Sequence, residues 1–244
     1  MDNAVLIGLS RQLTLRREMD VTANNLANMS TSGFKFERLL LNDIAADRPA
    51  QADDGGPITF VSNWGLARDF TPGQLEPTQR PFDVALRGEG FFQVETENGE
   101  ILYTRDGRFA LNADGELSTA DGRPVLDDGG ATIVLPAGAD GLVIDQSGSI
   151  TVDGQALGRI GVVDFDNLGA LEKTGDGLYR TDEPSLPVDA PQIAQGYVEK
   201  SNVNAIAEIT RLIDVTRSYE SVTRMLSSDE ELKRRAIDKL SGVR

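Results

Sequence analysis

The two ends of this 244-residue chain carry a periodic apolar pattern that the middle of the chain lacks. Apolar residues recur at steps of three and four near the N-terminus, which predicts a helix over residues 3–28: Leu6, Leu9 and Leu13, then Met19, Ala23 and Leu26. A similar seam predicts a second helix over residues 204–240: Ile209, Leu212, Thr216, Tyr219, Thr223 and Leu226. Since an isolated helix with one narrow apolar stripe is marginal in water, both ends need a partner.

The middle of the chain consists of short apolar or alternating runs separated by Gly, Asp, Asn and Pro. The dipeptides Asn98-Gly99, Asp114-Gly115 and Asp153-Gly154 are typical of tight hairpin turns. We therefore predict an α+β protein in which the terminal helices pair into a coiled-coil-like rod module around a central all-β domain of short antiparallel strands. The expected divisions are an N-terminal helix at 1–35, an extended connector at 36–80, the β domain at 81–193 and a C-terminal helix at 194–244.

Two points stay open in this prediction. The terminal helices could instead pack on the β domain as ordinary amphipathic helices. The C-terminal helix could also break at Ser227-Ser228, because the segment that follows has the spacing of a capping box.

The negative charge of the chain is confined to its middle. The sequence has 24 Lys and Arg against 39 Asp and Glu, a net charge of −15, and residues 51–196 alone hold 25 acidic and nine basic groups, or −16. The two ends are close to neutral, at 0 for residues 1–50 and +1 for residues 197–244. This balance argues against nucleic acid or an anionic membrane surface as a partner, because both repel an acidic protein.

Composition also disfavours an enzyme. The chain has no Cys and no His, which removes thiol nucleophiles, cysteine metal sites and the usual general base of hydrolases. No cofactor or metal is expected, because the calcium-loop pattern that begins at Asp164 and Asp166 fails at Leu168. Glu95 and Glu97 leave a carboxylate hydrolase as a remote hypothesis, although alternating carboxylates are far commoner on a solvated strand face.

Three asparagines near the end of the first helix are an unusual feature. Asn disfavours helix interiors because its side chain competes for backbone hydrogen bonds. Asn24 and Asn28 share one helix face and are predicted to bond to neighbouring chains, while Ala23 and Ala27 permit close approach of another helix. The alternative is a frayed helix end, with Asn as a capping residue and a glycine beyond it in the left-handed region.

The order of these motifs resembles a known family. Residues 24–28, Asn-Asn-Leu-Ala-Asn, are followed by Ser-Thr-Ser-Gly-Phe-Lys at 30–35, and Gly-Glu-Gly-Phe-Phe-Gln-Val at 88–94 precedes Tyr-Thr-Arg-Asp-Gly-Arg-Phe at 103–109. Ser-Asn-Val-Asn at 201–204 comes before the last helix. This series is similar to the bacterial flagellar basal-body rod and hook proteins over nearly the whole chain, and its length and ending most resemble the proximal, F-type rod members.

The resemblance implies a structural subunit that polymerises through its terminal helices into the tubular drive shaft of the flagellum. It implies as partners copies of the same chain, the rod proteins above and below, and the flagellar type III export apparatus. It also implies a location in the rod, in the periplasmic space, after export without a cleaved signal peptide. The alternatives are a distal rod subunit, or a non-flagellar surface or periplasmic binding domain with a coiled-coil oligomerisation module.

The expected subunit interface combines the two seams with the motif residues. It comprises Leu6, Leu9, Leu13, Met19, Ala23, Asn24, Asn25, Leu26, Ala27, Asn28, Gly33, Phe34, Asn202, Asn204, Ile209, Leu212, Thr216, Tyr219 and Leu226.

Overall fold

A computed structural model describes residues 2–46, 58–136 and 141–241, leaving aside the side chains of 2–4, 41–46 and 58–64. These residues form two compact units. The helical unit comprises Met1–Ala27, Glu37–Arg68 and Asn204–Arg244, and the β unit comprises Asn28–Phe36 and Asp69–Val203. The predicted α+β class, with a helix at each end and short antiparallel strands between them, is confirmed.

The helical unit is built on two antiparallel helices, α1 (Asp2–Ala27) and α2 (Ala205–Ser241). Their direction follows from side-chain contacts at opposite ends: Gln12 Nε2 donates to Thr223 Oγ1 at 3.1 Å, and Arg211 Nη2 donates to Glu18 Oε1 at 2.9 Å. Helix α2 continues without a break through residues 227–228, which answers the question that the sequence left open.

The α1 face that packs on α2 is not the leucine seam predicted from the sequence. It contains Gly8, where a side chain would lie 2.7 Å from Leu226 Cδ2, and the fully buried Leu15. Leu6, Leu9 and Leu13 are exposed instead, so the side of α1 that carries these three leucines is not the side that packs on α2. The stripe of Leu6, Leu9 and Leu13 and the stripe that contains Gly8 and Leu15 each lie along one face of α1. The spacing of apolar residues alone does not predict which of these two faces a neighbouring helix will cover.

The predicted connector at 36–80 contains two long strands, β1 (Phe36–Ala46) and β2 (Ile58–Asp69), paired with each other. Residues 47–57 between them lie outside the described part of the chain. The connector prediction omitted this pairing because the Pro and Gly residues of 49–57 were interpreted as an extended linker rather than as an interruption between two strands.

Among its described residues, the β unit contains fifteen short strands, numbered in chain order from β3 to β17. They are Leu75–Pro77, Val84–Leu86, Phe91–Glu95, Ile101–Thr104, Phe109–Leu111, Leu117–Thr119, Leu142–Ile144, Ser149–Val152, Gln155–Arg159, Val162–Asp164, Glu172–Gly175, Leu178–Arg180, Leu186–Pro187, Ile193–Gln195 and Tyr197–Glu199. The largest sheet has six strands in the order β13-β14-β6-β5-β12-β15, and a second has the order β11-β10-β9. Strand pairs β16-β4, β17-β3 and β7-β8 complete the unit.

Alternation along the central strand β5 separates two hydrophobic cores. Phe92 points into the larger core with Phe109, while the preceding Phe91 points to the opposite face and packs with Tyr179 and Phe165. Because successive side chains of a strand face opposite ways, a sheet buried on both sides requires a continuous apolar run, and β5 begins with one.

The hairpin between β10 and β11 shows how the predicted turns are built. Asp153 has φ of 50° and Gly154 has φ of 82°, so both central residues lie in the left-handed region, as a two-residue type I′ turn requires. Asp tolerates this region better than most residues and Gly does so without strain, which explains the local sequence.

Candidate assembly surfaces and buried polar clusters

The outer face of α1 presents an apolar ridge. Leu6, Leu9 and Leu13 are 52%, 49% and 54% exposed, and they lie one above the next at steps of three and four. We call these three residues the α1 ridge. Three large aliphatic side chains in one line form a surface suited to contact with another apolar surface.

Helix α2 also presents apolar residues near its start. Ile206 is 80% exposed, and Ile209 and Ile213 are close to half exposed. The other predicted seam residues of α2 are half-buried: Leu212, Thr216, Tyr219 and Leu226. Thr216 Oγ1 lies 3.7 Å from Met19 Sδ, which places this second group on the side of α2 that faces α1. The residues of the predicted C-terminal seam therefore lie on two faces of α2: Ile209 is on an exposed face, and the half-buried residues are on the face toward α1.

Asn25 is the only asparagine of the motif whose side chain is fully buried among the described residues, and it connects three elements of the helical unit. Its Nδ2 donates to the Glu37 carbonyl at 2.7 Å and to Glu208 Oε2 at 2.9 Å, while its Oδ1 accepts from Glu37 N at 3.0 Å. One amide thus pairs with both backbone groups of a β1 residue and also holds the first turn of α2. The Asn25 side chain is therefore held by contacts within the chain, and its place in a subunit interface stays a prediction.

The neighbouring motif residues are differently placed. Ala23, Asn24 and Ala27 are exposed, and Leu26 is half-buried. Asn28, at the edge of the β unit, accepts a hydrogen bond from Thr31 Oγ1 at 3.2 Å. Asn24 therefore lies at the surface, whereas Asn28 makes a local turn contact. Such a contact is typical of the alternative in which this asparagine caps the end of the helix.

The first turn of α2 and the adjacent strands carry a second layer of polar contacts. Asn204 caps α2, since its Oδ1 accepts from Ala207 N at 3.2 Å. Arg68 Nε donates to Glu37 Oε1 at 2.9 Å, and both side chains of this pair are largely buried. Together with Asn25 and Glu208, these contacts form a polar cluster within the helical unit.

Glu199 is the centre of a buried charged cluster in the β unit. Its Oε1 accepts from Lys35 Nζ at 2.6 Å and from Gly73 N at 2.9 Å, and its Oε2 lies 3.4 Å from Arg105 Nη1. Lys35 Nζ also donates to the Thr71 carbonyl at 2.8 Å. Three segments distant in sequence meet at this single carboxylate.

Burial sets the electrostatics of this cluster. It lowers the pKa of Lys35, and the attraction of Glu199 opposes the shift. Burial likewise lowers the pKa of the Arg105 guanidinium, which also lies 5.2 Å from the Phe91 ring centroid and donates to the Gly88 carbonyl at 2.7 Å. Two cations share one carboxylate in a site with almost no solvent, so removal of this carboxylate would leave both cations without their direct ion-pair partner.

The predicted interface residues of the β unit are mostly internal. Gly33 has φ of 69°, donates its N–H to the Glu199 carbonyl at 2.8 Å, and has Asp106 N only 2.5 Å from where a Cβ would stand. Phe34 is buried with Lys173 Nζ 4.3 Å from its ring centroid. Both residues therefore make contacts within the β unit, and their place in a subunit interface stays a prediction.

Asn202, which is half-buried, also makes contacts inside the β unit. Its Oδ1 accepts from Phe36 N at 2.7 Å, and its Nδ2 donates to the Asp69 carbonyl at 2.8 Å. The sequence prediction missed Lys35, Arg105 and Glu199, although Lys35 and Arg105 belong to the motifs that it quoted.

Over the described ranges of the chain, no cluster of acidic residues has the arrangement of a metal site. Neither of the two helices, over the same ranges, is long and apolar enough to span a membrane.

Family models match three parts of the chain. The model described as the flagellar hook protein FlgE/F/G D1 domain matches residues 85–152, within the β unit. The flagella basal body rod protein model matches residues 6–35, and the flagellar basal body rod FlgEFG protein C-terminal model matches residues 194–239. The matched parts therefore include most of both terminal helices and most of the larger of the two hydrophobic cores.

Curated relatives match over the full chain. The flagellar basal-body rod protein FlgF of Caulobacter vibrioides is 45% identical over 100% of both chains. The corresponding FlgF of Mesorhizobium japonicum is 36% identical over 96% of this chain and 98% of its own. The flagellar basal-body rod protein FlgG of Buchnera aphidicola is 33% identical over 88% and 90%. The exposed helical ridges, the buried motif residues and these full-length matches lead to one conclusion: the chain belongs to the flagellar basal-body rod protein family and is of the FlgF type.

Proposed function

We propose that this chain is a proximal rod subunit that polymerises through α1 and α2 into the axial drive shaft. The family is structural, and membership of it agrees with the prediction that the chain is not an enzyme. The α1 ridge is the observation that carries the proposal, because its leucines are exposed although the neighbouring face of α1, with Gly8 and Leu15, packs on α2.

The energetics of the α1 ridge favour contact with another subunit. Fully burying one leucine side chain contributes about 1.5–3 kcal/mol, and each ridge leucine is about half exposed in the single chain. Covering Leu6, Leu9 and Leu13 together would therefore contribute a few kcal/mol to each intersubunit contact. In a polymer this contribution repeats at every subunit, so a modest surface suffices.

The paired helices support the proposal of a coiled-coil-like rod module. Gly8, Leu15 and Met19 on α1 face Leu226 and Thr216 on α2 with the antiparallel register described above. Such a module is close to neutral in charge, whereas the segment between the helices carries the whole negative charge of the chain.

The type of relative supports a position and a route for the subunit. Identity is 45% to the FlgF of Caulobacter vibrioides and 33% to the FlgG of Buchnera aphidicola, which favours the proximal rod. Its partners are then copies of itself, neighbouring rod proteins and the type III export apparatus. Its location is the periplasmic part of the basal body.

A matched pair of substitutions on α1 tests the proposal. Leu9→Asp places a carboxylate in the α1 ridge, whereas Ile7→Asp makes the same change at a similarly exposed residue about 160° around the helix. We expect Leu9→Asp to abolish rod completion and motility, because an unpaired carboxylate is not buried at an interface. Ile7→Asp should retain both. Motile cells with Leu9→Asp, or equal loss in the two variants, would contradict assembly through the α1 ridge.

A further inference from the structure

Among the residues that the structure describes, strand β9 lies at the edge of the sheet β11-β10-β9. Its three residues include no charge and no proline, which are common devices for blocking further pairing at a sheet edge. Asp145 N donates to the Ser149 carbonyl at 3.0 Å across the ladder with β10. Because backbone groups alternate along a strand, those of Val143 also point to β10, whereas those of Leu142 and Ile144 point to the outer edge.

The side chain of Gln195 lies against this outer edge. Its Oε1 accepts a hydrogen bond from Ile144 N at 3.1 Å, and its Nε2 donates to the Leu142 carbonyl at 3.2 Å. Nε2 also donates to the Pro81 carbonyl at 2.9 Å, and the backbone of Gln195 is paired with β4. The amide group is therefore held in place by contacts on more than one side.

The two contacts with β9 reproduce those of a neighbouring parallel strand. In a parallel ladder, a residue donates its N–H to the carbonyl that precedes the opposite residue and accepts from the N–H that follows it. The Gln195 amide does the same around Val143, because Leu142 precedes that residue and Ile144 follows it. From this match we infer that Gln195 occupies a strand-pairing site on β9 and keeps β9 of a second copy of the chain from pairing there.

The outer edge of β9 is complementary to itself, which is why a second copy is the expected occupant. If two copies meet antiparallel with Val143 opposite Val143, Leu142 of each chain lies opposite Ile144 of the other. The N–H and C=O groups that point outward then face each other as hydrogen-bonded pairs. Val143 is 54% exposed, so its side chain can pack on its counterpart across the pair.

Such a pair is isologous and closed, because a two-fold axis relates its members. If the chain polymerises through its helices, as proposed above, this closed pair would compete with the open contacts of the polymer. The Gln195 contact removes that competitor. The contact itself belongs to the β unit and holds whether or not the chain polymerises.

A cysteine at position 143 tests the inference, because the chain has no cysteine of its own. In the antiparallel pair, the two Cα atoms at this position are about 4.5 Å apart, which a disulfide can bridge. The purified full-length chain with Val143→Cys is oxidised and resolved without reductant, and the same is done with Gln195→Leu added. We expect Gln195→Leu to raise the yield of disulfide-linked dimer about tenfold or more, because it releases hydrogen-bonding groups on both edges.

Two controls match this variant. Gln192→Leu makes the same change at an exposed glutamine that lines the same cleft of about 380 Å³ as Gln195, and the dimer yield should not change. Leu157→Cys in place of Val143→Cys puts the thiol on an exposed residue of β11, and its dimer yield should not respond to Gln195→Leu. Near-ultraviolet circular dichroism of each variant checks that the β unit is folded.

Hydrogen exchange provides a test in the unaltered chain. The Ile144 amide should be protected although it points to the edge of a sheet, since Gln195 Oε1 accepts a hydrogen bond from it. In a dilute sample of the Gln195→Leu chain, this amide should exchange about tenfold faster or more, because its hydrogen bond is lost.

Two results would overturn the inference. One is an equal dimer yield from folded Gln195→Leu and Gln192→Leu chains. The other is an Ile144 amide without protection in the unaltered chain, and this result counts whether or not the Gln195→Leu chain folds. Since the thiol at position 143 reports on β9 alone, neither result affects the test of the α1 ridge with Leu9→Asp or the proposed function.

Discussion

Replacement of Glu199 by Gln should destabilise the β unit far more than a loss of one surface charge would. Glu199 accepts hydrogen bonds from Lys35 and Gly73 on one oxygen, and its other oxygen faces Arg105. A Gln amide has one acceptor oxygen and one donor nitrogen, so in either orientation an N–H group points at another donor. Both cations would remain buried without the carboxylate that they share and that Lys35 and Arg105 contact directly.

The expected size of the effect follows from this burial. The side chains of Lys35, Arg105 and Glu199 are at most 1% exposed, so solvent cannot replace the lost charge. Breaking a buried ion pair by removing one partner costs about 3–5 kcal/mol, which is a large part of the stability of a typical domain. Glu76→Gln is the control, because its pair with Lys200 is about half exposed on both sides and is worth roughly 0–1 kcal/mol.

The assay is urea unfolding of the purified chain, followed by near-ultraviolet circular dichroism of the buried Tyr103 and Tyr179. A second variant that combines Glu199→Gln with Lys35→Met should regain part of the lost stability, because it removes one of the two unpaired cations. If Glu199→Gln loses no more than the Glu76→Gln control, or if the double variant is less stable than the single one, the argument from buried charge is refuted.

Two further predictions concern other parts of the chain. Asn25→Ala should lower the midpoint of helix melting and cost about 1–3 kcal/mol, because it leaves the Glu37 backbone and Glu208 without their partner; an unchanged melting curve by far-ultraviolet circular dichroism would contradict this. The pKa of Asp145 lies below 3.8 because the Ser147 hydroxyl donates a hydrogen bond to the carboxylate. The contribution of the ionised Asp145 to stability is therefore present above pH 3.8 and is lost as the pH falls through the lowered pKa. Ser147→Ala should return the pKa of Asp145 toward 3.8, as measured by NMR titration.

The exposed ridge shows where sequence reasoning succeeded and where it needed the structure. The 3–4 spacing of Leu6, Leu9 and Leu13 correctly predicted a helix, since such spacing places side chains on one face. It did not show that α2 would pack on the side of Gly8 and Leu15 instead. Close packing selected the stripe with a glycine, because a small residue lets the two helices approach.

The turn signals of the middle segment were more reliable than the connector prediction. The dipeptide Asp153-Gly154 predicted a two-residue hairpin turn, in which both central residues have positive φ. Asp and Gly adopt positive φ because of their own side-chain chemistry, so the prediction needed no information from distant residues. The pairing of β1 with β2 depends on residues that are separated by a stretch rich in Pro and Gly. Local composition carries no information about which distant strand will supply the missing hydrogen bonds.

By itself, the sequence determined the class of this protein: a helix at each end, short strands between them, an acidic middle, and no Cys or His for catalysis. These properties depend on periodicity, turn chemistry and composition, which are local or additive. Only the tertiary structure decided that Asn25 clamps a strand and that Glu199 gathers Lys35 and Arg105. The residues that make those contacts are more than ten positions apart in one case and more than a hundred in another. The hydrogen-bond partners of a buried polar group therefore become known only when the folded chain brings them together.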